Sequence, residues 1–452
     1  MHRKGIVLLA LIIAARAFSQ TNSESAAVPL SATVQKSPAR ITLSWTTLPS
    51  TTSITIYRKL RSATNWGSAI ATPAASATSY QDNTASLSTA YEYKVVRIAN
   101  GEDGTGYISS GIEVPAVDHR GKLVLLVDNT FTSSLATELT QLESDMTADG
   151  WTVLRSNVSR NASVINVRNT VIGHYNSDPL NVKALFIVGH VPVPYSGELN
   201  PDGHSEHKGA WPCDGYYGDM DGTWTDNTVN RTGAARSENN NIPGDGKFDQ
   251  NDFATGVELQ VGRVDMFDMP AFTQSETQLL RNYLNKLHSY KVKTFVPQER
   301  GLVFDNLQWV AQGLAATGWR CVPPLVGNAN TTYPNVTGPA FTTYVDEQSY
   351  LWTYSSGAGQ QAIVNGVLTY NGALNVGTTE ELASNVSMGG VFNLSFGSYY
   401  GDWDNKNNFL RAMIASGDGL TSGYGSKPSW FMHTMGMGEP IGTSVLLTMN
   451  NT

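Results

Sequence analysis

The 452-residue chain has little of three features that mark common functional classes. It contains two cysteines, Cys213 and Cys321, too few for a disulfide-stapled scaffold, and these either pair or stay free. Its 30 Lys and Arg residues are outnumbered by 38 Asp and Glu residues, which argues against nucleic acid as a partner. After residue 15, no apolar run reaches the ~20 residues of a membrane-spanning helix.

The N-terminus has the pattern of a secretory signal peptide. Arg3 and Lys4 precede an apolar stretch at 5–15, and Ala17-Phe18-Ser19 has the small-x-small pattern of a cleavage site. The apolar stretch is too short for a stable membrane anchor. We therefore expect residues 1–19 to be removed and the protein to be secreted, either free outside the cell or at its surface.

Residues 27–115 have the alternation of apolar and polar side chains expected of a β-sandwich. Trp45 in an early strand and Tyr91 at the start of a later one make this segment resemble a fibronectin type III module. The resemblance implies that both rings pack in the core, with a sugar- or protein-binding role as the alternative. The predicted strands include ITLSW (41–45), SITIYRK (53–59) and AYEYKVVRI (90–98).

From residue 121 to 452 the pattern becomes that of an α/β domain. Apolar runs typical of buried parallel strands alternate with helical periodicity, which predicts three layers around one mainly parallel sheet. Ligands bind beyond the carboxyl ends of such strands, so the loops after Gly189, around Ala358 and after Phe396 are candidate sites. The predicted strands are 122–127, 151–155, 184–189, 258–264, 301–305 and 389–396, and the predicted helices are 135–146, 161–175, 273–290 and 405–415.

An acidic insert, 201–256, interrupts this domain. Eight carboxylates within 214–252 face three basic residues, and Ca²⁺ is bound by such oxygen-rich, glycine-rich loops. Neither acidic stretch is a complete EF-hand, and a solvated loop is the alternative. Zinc is disfavoured because the ligands are mostly oxygen. The expected calcium ligands are Asp219, Asp221 and Asp226 in one site and Asp245 and Asp249 in another.

The first part of the insert, PDGHSEHKGAWPCD (201–214), concentrates polar groups after a strand. It contains His204, Glu206, His207 and Cys213. These groups can ligate a metal, supply a catalytic base, or hydrogen-bond the loop into place. Two histidines without a distant third ligand are weak evidence for zinc, so the structural role is our first expectation.

Several segments together resemble the gingipain-type cysteine peptidases, which have a caspase-like α/β fold. They are ALFIVGH (184–190), CDGYYGDMDG (213–222), VELQVGRVDM (257–266) and LNKLHSY (284–290), and the likeness spans roughly 121–450. In that family a His between two glycines and a Cys at the end of the next core strand form the catalytic dyad, and bound calcium is common. Here Ala358 takes the His position, and Phe396, or alternatively Ser395, takes the Cys position. The resemblance therefore implies the fold without its dyad.

Aromatic and acidic residues follow these positions, in FGSYYGDWDNKNNF (396–409) and PSWFMHTMGMGEPIG (428–442). They either pack in the core or form a stacking platform for a sugar or peptide. The candidate ligand-binding residues are Tyr399, Tyr400, Asp402, Trp403 and Trp430.

Three functions follow as hypotheses. The first is a secreted, calcium-stabilised pseudopeptidase that binds an extracellular protein or glycan. The second is an extracellular peptidase or esterase with a relocated site, although no Gly-x-Ser-x-Gly motif is present. The third is an adhesive scaffold in which the β-sandwich does the binding. The candidates for a relocated site are Ser395, Ser398 and Cys213 as nucleophiles and His204, His207 and His433 as bases.

Overall fold

The computed structural model describes residues 24–308, 314–364, 367–425 and 429–451. The predicted signal peptide, 1–19, lies outside the described residues. In the part of the chain that is described, no helix is both long and apolar enough to cross a membrane.

The N-terminal part is a sandwich of two antiparallel three-stranded sheets, ordered β1-β2-β4 and β3-β5-β6. Trp45 and Tyr93 fill its core, and the Tyr91 hydroxyl accepts a hydrogen bond from the Ser86 amide at 3.2 Å. These rings pack, as the sequence predicts. The strands are β1 (Leu30–Gln35), β2 (Arg40–Trp45), β3 (Thr51–Leu60), β4 (Ser79–Asp82), β5 (Ala90–Ala99) and β6 (Glu102–Gly111).

The remainder is an α/β region whose strands belong mainly to two parallel sheets. The first half contains β7 (Gly121–Asp128), β8 (Trp151–Val158), β9 (Val182–Val188), β10 (Tyr195–Leu199), β11 (Gly209–Pro212) and β12 (Gln260–Val264). The second half contains β13 (Gly301–Asp305), β14 (Thr331–Thr332), β15 (Tyr350–Ser356), β16 (Gly359–Val364), β17 (Val367–Ala373), β18 (Gly377–Thr378), β19 (Gly390–Phe396) and β20 (Thr421–Tyr424).

The expectation of one mainly parallel sheet is corrected by the strand order. One parallel sheet is ordered β12-β9-β7-β8 and the other β14-β13-β15-β19-β20. The two remain separate because β12 pairs with β9 and β20 pairs with β19, and these two strands end their sheets. Both sheets nevertheless contribute to one apolar core, which contains Leu125 and Val188 from the first and Phe304 and Val391 from the second.

Amphipathic helices cover these sheets. The longest, Glu276–Lys291, is capped by the Ser275 hydroxyl, which accepts from the Gln278 amide. The helix predicted at 405–415 begins only at 409, because the Asn408 side chain caps it there. The helices are α1 (Ala136–Ala148), α2 (Val164–Ser177), α3 (Glu276–Lys291), α4 (Leu314–Cys321), α5 (Pro323–Val326), α6 (Phe341–Glu347), α7 (Thr379–Ser384), α8 (Phe409–Ala415) and α9 (Ile441–Met449).

The sandwich packs directly on the α/β region. The His433 Nε2 atom lies 3.2 Å from Oε2 of Glu92, which also pairs with Lys59 at 3.0 Å. The Tyr107 ring stacks on His433, with the ring centroids 5.6 Å apart. Arg61 of the sandwich forms an ion pair with Glu439.

Candidate functional site

The two loops expected to carry a catalytic dyad lie side by side at the carboxyl ends of β15 and β19. These strands are parallel neighbours with Ser356 opposite Phe396, and the Gly357 amide donates to the Phe396 carbonyl at 3.0 Å. A Cβ atom on Gly359 would lie 2.2 Å from the Ser398 carbonyl oxygen. Glycine is therefore required for the loops to approach this closely.

The side chains at the predicted dyad positions offer no acid–base group or nucleophile. Ala358 is exposed and Phe396 is buried. Ser395, the alternative at the Cys position, is fully buried, and its Oγ lies 2.7 Å from Oγ of Ser355. A hydroxyl enclosed in this way has neither a base nor access to a substrate, so Ser395 is not a nucleophile.

The remaining Ser and His candidates do not form a pair. Ser398 is half-buried, and in the described ranges no histidine hydrogen-bonds to it. His433 is buried and contacts Glu92 of the sandwich. The structure thus corrects the candidate pairing of Ser398 with His433, because the histidine serves the contact between sandwich and α/β region.

His207 is a buried bridge between two loops. Its Nδ1 lies 2.9 Å from Oδ2 of Asp202 and its Nε2 lies 3.4 Å from Oδ2 of Asp402. Burial disfavours the charged imidazole, but the hydrogen bonds to the two carboxylates outweigh it and raise the pKa of His207. Both ring nitrogens have a carboxylate partner, so His207 holds the insert in place. This is the structural role that the sequence favours for it.

His204 and Glu206 lie at the edge of the same cluster. The His204 ring stacks on Tyr399, with centroids 4.8 Å apart, and its Nδ1 is 3.5 Å from Oε1 of Glu206. The Glu206 carboxylate also accepts from the Tyr399 hydroxyl at 3.0 Å. These contacts order the loop and leave His204 partly exposed.

Arg236 extends the bridge to a second carboxylate. Its Nη1 lies 2.7 Å from Oδ1 of Asp402 and 2.9 Å from Oδ1 of Asp404. The Tyr195 hydroxyl donates to Asp404. The resulting arrangement of Asp202, His207, Arg236, Asp402 and Asp404, here called the bridge network, joins the acidic insert to the loop after β19.

Three of the five predicted ligand-binding residues have almost no accessible surface. Tyr400 and Asp402 are fully buried and Tyr399 is 5% exposed, so they build the loop and present little surface to a ligand. Trp403 and Trp430 are half-buried. The prediction of a stacking platform is therefore reduced to these two indoles.

Tyr399 has an unusual backbone conformation. Its φ of 72° lies in the left-handed region that bulky residues rarely adopt. Its amide donates to Oδ2 of Asp202 at 2.9 Å, which helps to hold this conformation. Strain of this kind clusters at functional sites, and here it falls beside the loop that contains Ala358.

Both cysteines are free thiols, which decides the question of a disulfide. Although part of the Cys213 residue reaches the surface, the enclosure of its thiol raises the pKa of Cys213 to about 12. Burial also raises the pKa of Cys321, whose Sγ donates to the Trp430 carbonyl at 3.2 Å. Because the thiolate is the nucleophile, Cys213 is not a catalytic candidate at neutral pH.

Two carboxylates of the acidic insert lie close to Glu258, which follows the insert in the sequence. Oxygens of Asp219, Asp221 and Glu258 all lie within 4.8 Å of one another. Burial, together with the charges of the two aspartates, raises the pKa of Glu258, the electrostatic situation that a cation relieves. An all-oxygen donor set suits a hard divalent ion such as Ca²⁺. The residues present therefore fit such an ion, and Glu258 is a member that the sequence prediction lacked.

The other predicted calcium ligands accept hydrogen bonds from backbone amides of the insert. Asp226 accepts from the amides of Gly244 and Gly246, at 2.7 Å each, and so lies apart from Asp219 and Asp221. Asp249 accepts from the amides of Asn227, Thr228 and Val229, and Asp245 accepts from those of Ile242 and Lys247. These hydrogen bonds hold the turns of the insert, and the cluster of three carboxylates contains none of Asp226, Asp245 and Asp249.

One histidine–aspartate pair was missed from the sequence. His190 Nδ1 lies 2.8 Å from Oδ2 of Asp265, at the carboxyl ends of β9 and β12. Burial would raise the pKa of Asp265, but His190 and Arg411 lower it to about 2. A Gly-His dipeptide directly after β9 and an Asp directly after β12 were the available signals.

No protein-family model matches this sequence, and no curated protein matches it. Among solved structures, the Arg-specific cysteine proteinase gingipain R is similar over 68% of this chain and 61% of its own, with 12% identity and a TM-score of 0.36. A complex of Porphyromonas gingivalis RgpB pro- and mature domains is similar over 67% of this chain and 62% of its own, with 12% identity and a TM-score of 0.36. A Fn3-like protein from Clostridium thermocellum is 26% identical over 21% of this chain and 99% of its own, with a TM-score of 0.17. The chain thus spans about three fifths of the gingipain chain.

Proposed function

We propose that this chain is a secreted, calcium-stabilised pseudopeptidase of gingipain-like fold, which acts by binding an extracellular protein or glycan. In this proposal residues 27–115 form a fibronectin type III module and residues 121–452 the gingipain-like domain. The observation that carries it is the pair of side chains at the ends of β15 and β19, where Ala358 and Phe396 offer neither an acid–base group nor a nucleophile.

The chemistry of the remaining nucleophiles supports the absence of peptidase activity. Cysteine peptidases require a thiolate activated by a nearby base. The high pKa of Cys213 keeps its thiol protonated, and Cys321 is buried. The Ser395 hydroxyl is enclosed against Ser355.

The calcium part of the proposal rests on the cluster of two carboxylates from the insert and Glu258. Asp219, Asp221 and Glu258 would hold the ion, with water completing its coordination. When bound, calcium would supply charge neutralisation. The chain's own residues keep the site in shape: the Gly222 amide and the Trp224 indole N–H donate to the two oxygens of Asp219, at 2.7 and 2.9 Å.

The test is a turnover screen combined with covalent labelling. Purified protein, with calcium, is incubated with casein, fluorogenic arginyl and lysyl peptides, and short-chain esters, and we expect no turnover. A fluorophosphonate probe should leave Ser398 unlabelled, with a Ser398→Ala variant as the background control. Peptide cleavage that disappears on alkylation of Cys213, or covalent labelling of Ser398, would overturn the pseudopeptidase assignment.

A further inference from the structure

A cavity of about 730 Å³ lies between the two parallel sheets. It is lined by four consecutive residues of β12, 260–263, and by all four residues of β20, 421–424. Alternate residues of a strand point to opposite faces of its sheet, so the cavity reaches both faces of each sheet at these two strands. β12 and β20 are the edge strands of their sheets, and the cavity therefore lies beside two strand edges.

Both edges are open for most of their length. Each strand is the last of its sheet, and in the ranges described the backbone of 260–263 pairs only with β9. On β20, the Trp430 indole donates to the Tyr424 carbonyl at 2.8 Å and closes one end. The Thr421 Oγ1 atom is buried without a hydrogen-bond partner among the residues described. Unpaired strand edges are templates for another strand.

The carboxyl ends of the two sheets meet at one side of the cavity. β12 is parallel to β9 and β20 is parallel to β19. At the carboxyl end of β12, the Arg263 guanidinium lies 5.1 Å from the ring centroid of Trp403, in the loop after β19. A strand added between the two edges would therefore have the carboxyl ends of both sheets at the same end of the cavity.

The lining selects a neutral, apolar occupant. Its apolar side chains include Phe186, Leu287, Tyr290, Phe392 and Trp430. The charged side chains of the lining all have partners. Three pairs form within the lining: Arg120 with Glu439 at 3.7 Å, Lys291 with Asp149 at 2.7 Å, and Arg263 with Asp214 at 2.7 Å. The other three bond elsewhere: Asp145 to His288, Asp265 to His190, and Arg411 to the backbone carbonyls of Phe267 and Asn405.

We propose that this cavity binds an extended, uncharged segment of another protein as an added β-strand, which hydrogen-bonds to β12 and β20 and joins the two sheets into one. The strands have five and four residues, so a segment of that length would fill the gap, at about 3.3 Å per residue. Backbone hydrogen bonds supply affinity in this mode of recognition, and alternate side chains supply specificity. The proposal is independent of whether the chain is a peptidase.

The test compares peptides that differ only in their backbone. Fluorescein-labelled, N-acetylated hexapeptides alternating Val with Thr, Val with Ser, or Leu with Thr are titrated with the full-length protein, and anisotropy is recorded. We expect at least one to bind, and the same peptide N-methylated at alternate amides to bind at least tenfold more weakly. Oleate should not compete. Equal binding of the methylated peptide, competition by oleate, or no binding by any peptide would each overturn the proposal.

A cavity-filling variant gives an independent measurement. A Cβ on Gly262 would meet only the Phe186 ring, at ordinary contact distances of 3.6 and 3.9 Å, so Gly262→Leu should fold, fill the cavity and weaken peptide binding at least tenfold. Gly173→Leu is the matched control, because a Cβ there meets nothing within 4 Å. Unchanged peptide affinity in folded Gly262→Leu would contradict the assignment. If that variant fails to fold, the comparison of methylated with unmethylated peptides tests the proposal without it. If the free protein dimerises and Gly262→Leu abolishes the dimer, the occupant is a second copy of this chain. That result would overturn the proposal of a segment from another protein.

Discussion

The Nε2 atom of His207 lies 3.4 Å from Oδ2 of Asp402, although the two residues are 195 positions apart. Both side chains are fully buried. This contact fastens the acidic insert to the loop that follows β19, and it therefore determines the surroundings of Ala358. The first two predictions concern this relationship.

Removing the Asp402 carboxylate should strongly destabilise the fold. Asp402→Ala leaves His207 and Arg236 buried without their shared partner, and removing one member of a buried charge network costs about 3–5 kcal/mol. Glu238→Ala is the matched control, because it removes an exposed partner of the same Arg236 and should cost less than about 1 kcal/mol. Urea unfolding measures both variants. Similar losses of unfolding free energy in the two variants would show that the bridge network contributes little to the stability of the fold.

The contribution of His207 to stability should be lost as pH rises above ~6.5. Its folded-state pKa is raised above the ~6.5 of an unfolded histidine. Its contribution is therefore complete below pH ~6.5 and is lost as pH rises through the higher folded value. His207→Gln should have a flatter profile of unfolding free energy between pH 6 and 9. Parallel profiles for variant and wild type would contradict this linkage.

Calcium removal should lower the melting temperature and loosen residues 214–252 first. An ion bound only to the folded state adds about 2.7 kcal/mol at 100 times its Kd. Asp221→Ala and Glu258→Gln should reproduce much of the effect of EDTA, whereas Asp252→Asn, a change of an exposed carboxylate in the same insert, should not. Thermal unfolding, limited proteolysis and elemental analysis measure this. An EDTA-insensitive melting curve and no bound metal would reduce the insert to an ordinary acidic loop.

Neither thiol should react quickly in the folded protein. With the pKa of Cys213 near 12 and Cys321 buried, labelling by a thiol reagent at pH 8 should be at least tenfold slower than in guanidinium. In the denaturant both cysteines should react, because no disulfide holds them. Rapid labelling of native Cys213 would revive it as a nucleophile.

Local patterns were sufficient to predict nine of the twenty strands and four of the nine α-helices in the described part of the chain. The run at 122–127 lies within β7, Leu139 and Leu142 are buried along α1, and Leu135 is buried at the N-cap of that helix. What they did not predict is the division into two sheets. That division depends on which strand lies next to β12 or β20, and such pairing is a long-range property that a strand's own periodicity does not encode.

The sequence predicted where the candidate site lies better than it predicted which residues form it. The order of strands placed the loops at Ala358 and Phe396 together. The sequence did not predict the bridge network or the grouping of Glu258 with Asp219 and Asp221. These residues come from segments that meet only in the folded chain. Counting acidic residues did not show which of them cluster: Asp249 accepts hydrogen bonds from three backbone amides and lies outside the group of Asp219, Asp221 and Glu258.

The contact between Glu92 and His433 has a hydrodynamic consequence. With Arg61 also paired to Glu439, the sandwich is fixed to the α/β region at two places and does not swing on a linker. The two parts should therefore tumble in solution as one particle, and a fluorophore on an outer strand of the sandwich should report the rotational correlation time of the whole chain. Any surface that the sandwich offers to a partner is presented at a set angle to the loops around Ala358.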